Sequence, residues 1–198
     1  MIKRLFDIFF SFFGLILVSP LLLVSAILIK LTSPGPVFYR GVRIGRYRKP
    51  FKIFKFRTMM ENAEELGGPS TAADDPRLTK IGKFLKKYQL DELPQLINII
   101  KGEISLVGPR PEVKIYVDMI REEERNKILS IKPGMTDLAS LWNFHEGEVL
   151  KGSLDPEKTY IEKIRPKKIR LQLEYVKNRS FLLDLKIIIK TILKIFYG

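Results

Sequence analysis

The sequence predicts an α+β fold, mostly helical, attached to a membrane at its N terminus. Three observations carry that prediction. A long apolar run opens the chain, several later segments repeat apolar residues at helical spacing, and only a few short β-prone runs lie between them. With 198 residues the chain suits one domain with a real core. The natural division is a membrane helix over 1–33 and a single domain over 34–198, closed by a helix over about 181–197.

The run from Leu5 to Ile29, LFDIFFSFFGLILVSPLLLVSAILI, holds one charge, Asp7, and is long enough to cross a bilayer. It is too long for the apolar stretch of a cleaved signal peptide, and no A-x-A-like site accompanies it. Ser19-Pro20 breaks it, because proline removes a backbone hydrogen bond and kinks a helix. The arms, of about 14 and 9 apolar residues, are each too short for ~30 Å of hydrocarbon. Lys3 and Arg4 precede the run and Lys30 follows it, so both ends are pulled towards the cytoplasm. On residues alone two readings stay open: a kinked span, and a re-entrant helix that dips in, bends at Ser19-Pro20 and returns. The Ser19 hydroxyl is a candidate donor for a carbonyl freed at the bend. Asp7 is expected at headgroup depth beside Arg4.

TSPGPVFYRG, from Thr32, ends the membrane element. Val37–Arg43 and Phe51–Met59 are β-prone runs separated by a basic turn-like stretch, which predicts a hairpin. Residues 61–80 are polar, contain Gly and Pro, and read as a long mobile loop of the kind that often serves as a lid. KIGKFLKK, Lys80–Lys87, is a basic amphipathic helix.

In DELPQLINIIKG, Leu93, Leu96, Ile97 and Ile100 sit at helical spacing, Pro94 belongs in a first turn, and Gly102 is placed to end the helix. Asp91 and Glu92 therefore stand at a helix N terminus, where the dipole favours carboxylates and phosphates alike. GEISLVGPRPEV is a β-prone piece followed by a rigid turn, in which Pro109 and Pro111 limit where Arg110 points. An amphipathic charged helix is expected from Glu112 to Leu129. IKPGMTDLASLW reads as a Pro-Gly turn and a short apolar segment, and Asp155–Glu174 as a polar, basic helical stretch. In FLLDLKIIIKTILKIFYG, Lys186, Lys190 and Lys194 form one stripe of an otherwise apolar helix. That pattern suits a helix lying in a membrane interface, or a core helix with a solvated lysine face.

Charge narrows the partners. Lys and Arg number 35 against 22 Asp and Glu, a net +13, which favours an anionic lipid surface, a phosphate-rich substrate or nucleic acid. No RNP-like, zinc-finger or helix-turn-helix pattern accompanies the charge, so nucleic acid is not expected. The absence of cysteine excludes disulfides, thiolate metal sites and Cys nucleophiles, and a single histidine, His145, excludes a His-rich metal site.

Asp91 and Glu92 have two readings: charges at a helix start, or two chemical groups with different tasks. Arg110 in its proline turn, and Lys55 and Arg57 alternating along one strand face, supply candidate phosphate contacts. A carboxylate, arginines and an implied Mg²⁺ suit phosphoryl transfer, since Mg²⁺ usually takes one or two protein carboxylates and completes its shell with phosphates and water.

KFRTM (Lys55–Met59), LDELPQL (Leu90–Leu96), SLVGPRPE (Ser105–Glu112), KPGMT (Lys132–Thr136) and YVKNRSFLLDLKI (Tyr175–Ile187) occur in this order. On these motifs the chain resembles the bacterial sugar transferase family, the small monotopic polyprenol-phosphate phosphoglycosyl transferases, over nearly its whole length. The resemblance implies a re-entrant helix broken at Ser19 and Pro20. It implies a catalytic domain on the cytoplasmic face of a bacterial inner membrane, its anionic leaflet met by interfacial helices; a homodimer is compatible with it. It also implies the reaction. A UDP-sugar gives its phosphosugar to Asp91, UMP leaves, and polyprenol phosphate takes the phosphosugar from the aspartyl intermediate. Glu92 is implied to share Mg²⁺ with Asp91 or to position phosphates, and Arg110, Lys55 and Arg57 to bind phosphate. The chain is expected to match the family's minimal catalytic form.

One departure stands out. Many relatives carry a Gly-aromatic-x-Gln-Val-x-Gly-Arg stretch after KPGMT, where this chain reads DLASLWNFHEGEVLKG, Asp137–Gly152, so sugar identity is not carried over. His145 and Trp142 lie there, as packing groups or as rings stacked on a base or sugar. The rival reading is a non-enzymatic peripheral protein docking on anionic lipid, which leaves the Asp-Glu and GPRP motifs without a role.

Overall fold

The computed structural model describes residues 2–197; Met1 and Gly198, at the ends of the two expected segments, lie outside the described residues. The apolar run forms one helix, α1 (Ile2–Thr32), 31 residues and so ~46 Å long. The helix continues through Ser19 and Pro20, so the break expected there is not a gap in the helix. Pro20 cannot donate to the carbonyl four residues back, that of Ile16, and the Ser19 hydroxyl does so instead at 2.7 Å.

The two β-prone runs form the expected hairpin as two antiparallel ladders. β2 (Val42–Ile44) pairs with β3 (Pro50–Lys52), and β1 (Phe38–Tyr39) with β4 (Lys55–Phe56). The long loop that follows is not loose as expected. It gathers around the buried Arg77, which pairs with Asp75 at 2.7 Å and donates to the carbonyls of Ala63, Gly68 and Ser70. A guanidinium has five donors in a fixed fork, so one side chain orders several strands of loop.

α2 (Lys80–Lys87) is capped by Thr79, whose hydroxyl accepts from the Gly82 N–H at 2.9 Å. Pro94 opens α3 (Gln95–Lys101) and Gly102 closes it at φ 84°, a conformation that costs glycine little. β5 (Ser105–Val107) lies parallel to β6 (Gly134–Thr136), so the stretch read as a Pro-Gly turn is in part a strand. The backbones meet so closely here that a Cβ on Gly134 would fall 2.0 Å from the Gly108 nitrogen.

The single helix expected over 112–129 is two, α4 (Lys114–Asp118) and α5 (Glu122–Ile128). Val117 and Leu129 both pack on Ile44, yet on one straight helix they would face about 120° apart, so the chain must break to bury both. α6 (Leu138–Trp142), α7 (Glu146–Leu150) and α8 (Pro156–Thr159) follow. α8 runs through a π turn at Tyr160–Ile164 into α9 (Arg165–Asn178), and α10 (Phe181–Tyr197) ends the described chain.

α1 rests on this domain along its length. Leu15 and Val18 pack on Leu96, Ile99 and Ile104; Leu22, Ala26 and Ile29 pack on Phe56 and Leu85. Near its start, Lys3 pairs with Asp184 and donates to the Val107 carbonyl. Arg4 donates to the carbonyls of Ile99 and Ile100 in the last turn of α3, the first of which also accepts from the closing Gly102 N–H. Asp7 finds its partners in the domain and not in Arg4. It is 3% exposed and accepts from the Ser105 hydroxyl at 2.7 Å and the Leu106 N–H at 3.2 Å.

The opposite face of α1 is bare, with Leu5, Phe9, Phe13, Leu17, Leu23 and Leu31 exposed. α10 combines its two readings. Ile187 and Asp184 are buried, while Leu182, Ile189 and Leu193 and the lysines Lys186, Lys190 and Lys194 are exposed.

Candidate active site

An open cleft of about 1710 Å³ runs between the hairpin, the Arg77 loop, α2 and α10. At its floor the chain leaves α2 through Gln89, held at φ 57°, where a residue with a Cβ is strained. That reversal leads into a 3₁₀ turn, Leu90–Glu92. Successive residues of such a turn face about 120° apart, so the adjacent carboxylates diverge.

Glu92 turns towards Lys55 and Arg110. Its Oε1 accepts from Lys55 Nζ at 2.6 Å and from Arg110 Nη2, and its Oε2 from Arg110 Nη1 at 3.0 Å. Burial opposes its charge, but Arg110 and then Lys55 outweigh that and hold the carboxyl well below its ordinary range. Arg110 is raised in turn: burial works against it, and Glu92 more than compensates.

Asp91 turns into the cleft. It is 7% exposed, and its Oδ1 is buried without a hydrogen-bond partner among the described residues. Burial pushes its pKa up from 3.8, against the pull of Lys55 and Lys86. Two neighbouring carboxylates are thus pushed in opposite directions: one is held as a charge among cations, the other is buried without a partner among the described residues.

Arg110 stands where the parallel β5–β6 pair ends. Its backbone N–H donates to Asp137 Oδ2 at 3.2 Å, while Asp137 Oδ1 caps α6 by accepting from the Ser140 N–H at 2.7 Å. The GPRP turn and the residue after KPGMT are thereby locked together. Of the expected phosphate ligands, the structure brings Lys55 and Arg110 to Glu92. Arg57 it does not: its guanidinium donates to the Ser33 carbonyl and hydroxyl and to the Pro34 carbonyl, tying down the exit of α1.

Among the described residues no group of three or more His, Cys, Asp or Glu side chains comes together. Each Glu92 oxygen already accepts from a cation, whereas Asp91 Oδ1 has no partner among the described residues, so of the pair expected to hold Mg²⁺ Asp91 is the more open. That suits a Mg²⁺ shell completed by a diphosphate and water.

Other groups in the cleft escaped the sequence reading. Lys86 lines it, its pKa lowered by burial and only partly restored by Asp91. Lys168 and Glu146 line the same space. Asp137 was legible in principle, since Asp-x-x-Ser before an apolar segment signals a helix cap. A buried lysine such as Lys168 has no such signal. His145 lines the cleft, whereas Trp142 lies under Lys167, whose Nζ is 4.4 Å from the ring centre.

The family model described as bacterial sugar transferase matches residues 1–198. A UDP-glucose:undecaprenyl-phosphate glucose-1-phosphate transferase of Klebsiella pneumoniae is 42% identical over 198 residues, covering 98% of this chain and 40% of its own. A UDP-N-acetylgalactosamine-undecaprenyl-phosphate N-acetylgalactosaminephosphotransferase of Aeromonas hydrophila is 38% identical over 200 residues, covering 100% of this chain and 44% of its own. The exopolysaccharide production protein PSS of Rhizobium leguminosarum bv. phaseoli is 37% identical over 203 residues, covering 96% of this chain and 93% of its own. The chain spans about two fifths of the length of the first two.

Proposed function

The chain belongs to the bacterial sugar transferase family, and from that premise we propose that it moves the sugar 1-phosphate of a UDP-sugar onto undecaprenyl phosphate at a membrane surface. The observation that carries this reading is the buried, unpartnered Oδ1 of Asp91, open to a cleft whose neighbouring carboxylate is fully engaged by two cations.

An Asp91 oxygen attacks the sugar-bearing phosphorus of the donor. The bond to the bridging oxygen breaks, its electrons leave with UMP, and an aspartyl phosphosugar forms. A phosphate oxygen of the lipid then attacks the same phosphorus, the acyl–phosphate bond breaks, and Asp91 returns as a carboxylate. The product is a polyprenyl diphosphate sugar. Covalent catalysis of this kind replaces one hard encounter by two in-line displacements.

Lys55 and Arg110, held beside Asp91 by Glu92, offset charge on the phosphate as it builds. Glu92 is therefore a positioning group, whose carboxylate keeps two cations at a fixed place without binding substrate itself. Mg²⁺, held by Asp91 and the diphosphate, would neutralise charge on the leaving UMP. Purified protein with undecaprenyl phosphate, Mg²⁺ and a panel of UDP-sugars is expected to release UMP from at least one donor. No release from any of them overturns the reading.

The same reading places the domain on one side of the bilayer, with α1 dipping in and both of its ends on the cytoplasmic face. It is supported by the contacts at the two ends. Lys3, Arg4 and Asp7 touch β5, α3 and α10, while Ile29 packs on α2, so neither end leaves the domain. A polyprenol phosphate cannot leave the bilayer, so its acceptor oxygen must be met at headgroup depth. The chain has no cysteine, so single cysteines at positions 2 and 40 are unique labels. A membrane-impermeant reagent is expected to reach both from the same side; labelling from opposite sides overturns the re-entrant arrangement.

A further inference from the structure

Glu146 is a carboxylate on the wall of the same cleft, across from the cations that gather around Glu92. Two groups hold it, both on Oε2: Lys168 Nζ at 3.2 Å and the Asn143 side-chain amide at 3.4 Å. Both bonds leave Oε1 free to accept.

Lys168 is 7% exposed and lines the cleft, an expensive place for an ammonium unless it is paired. It also donates to the Tyr160 hydroxyl at 3.1 Å, and that hydroxyl donates to Glu112 at 3.1 Å. Burial works against the charge of Lys168, yet Glu146 more than offsets it and the pKa is raised.

The π turn explains how these groups meet. Tyr160 and Lys168 are eight residues apart, and on a regular helix they would face about 80° apart. A π turn absorbs one extra residue, so Lys168 takes the place of the seventh, about 20° from Tyr160. An irregular helix costs hydrogen-bond geometry, and here it aims a buried cation at a carboxylate on the cleft wall.

Resting on the function proposed above, we propose that Glu146, positioned by Lys168, is the residue that reads the sugar of the donor, its Oε1 accepting a hydroxyl of the hexose. A carboxylate repels phosphate and accepts only from donors, so it must face an uncharged part of the substrate. It lies within electrostatic reach of Lys86 and Arg110, the cations that also surround Asp91. The hexose is joined through its anomeric oxygen to the phosphorus that Asp91 attacks, and the ribose is one phosphate further off, so the sugar is what falls beside Glu146.

The test compares wild type with Glu146→Gln on the preferred UDP-sugar and on its 3-, 4- and 6-deoxy analogues, with inhibition by UMP as a second readout. Glu146→Gln is expected to lower kcat/KM for the preferred donor about 10- to 100-fold and to leave the analogue lacking the contacted hydroxyl within about 3-fold. Inhibition by UMP is expected to stay unchanged. Lys168→Met, which releases Glu146 from its partner, is expected to shift the same donor-to-analogue ratio in the same direction. Equal losses on the donor and every analogue, or an equal loss of UMP affinity, overturns the proposal; the second outcome would put Glu146 on the ribose. An unshifted ratio in Lys168→Met overturns its positioning role. A wild type that releases no UMP from any donor overturns the transferase reading and this one with it.

Discussion

Asp91→Asn is expected to reduce UMP release by on the order of 10³-fold or more, because an amide cannot form the acyl phosphate. Rapid acid quenching of wild type with UDP-sugar and no lipid is expected to add one phosphosugar to the protein mass, and Asp91→Asn is expected to add none. The variant should fold normally, since Oδ1 makes no hydrogen bond among the described residues.

The pH dependence has a defined sign. Burial raises Asp91 above its ordinary 3.8, so between 3.8 and the raised value the folded state binds more protons than the unfolded. Its contribution to stability is fully present below 3.8 and is lost as pH rises through the raised pKa. Activity runs the other way, because attack needs the carboxylate. The acid limb of kcat/KM is therefore expected above pH 3.8. An acid limb at or below that value, or UMP release by Asp91→Asn equal to wild type, contradicts the assigned nucleophile.

Glu92→Gln should be the most damaging change to stability in the site. It leaves Arg110 and Lys55 without their shared carboxylate, and breaking a buried pair costs about 3–5 kcal/mol. For a chain of this length that corresponds to a fall in Tm of about 10 °C. Activity is expected to fall too, since both cations lose the anchor that places them beside Asp91. The double variant Glu92→Gln, Arg110→Gln should lose less than the sum of the two single losses, because the second change removes a charge the first has stranded. If Glu92→Gln melts like wild type and only raises the Mg²⁺ requirement, Glu92 is a metal ligand and its placement as the anchor of two cations is wrong.

Local elements were legible because their causes are local. Pro94 suits only a first helical turn, and Gly102 suits a left-handed cap. These features put Asp91 and Glu92 at a helix start from sequence alone. The motifs in order also led to the family.

What stayed hidden is carried by partners far apart in the chain. Asp7 reads as a misplaced charge in an apolar run until Ser105, 98 residues away, donates to it. Lys55 and Arg57 look equivalent on one strand face. Only the exit of α1 claims Arg57, while Glu92 claims Lys55. The β5–β6 pairing was missed because three-residue strands have no periodicity to read.

By itself, then, the sequence determined the long apolar helix, the hairpin, the helix that begins at Pro94 and the pair of carboxylates at its start. Backbone sterics and the spacing of apolar residues act within a few positions and need no distant partner. Only the tertiary structure decided which carboxylate is paired and which is free. Burial raises the pKa of one and the placement of Arg110 and Lys55 lowers that of the other, and those are properties of the folded neighbourhood.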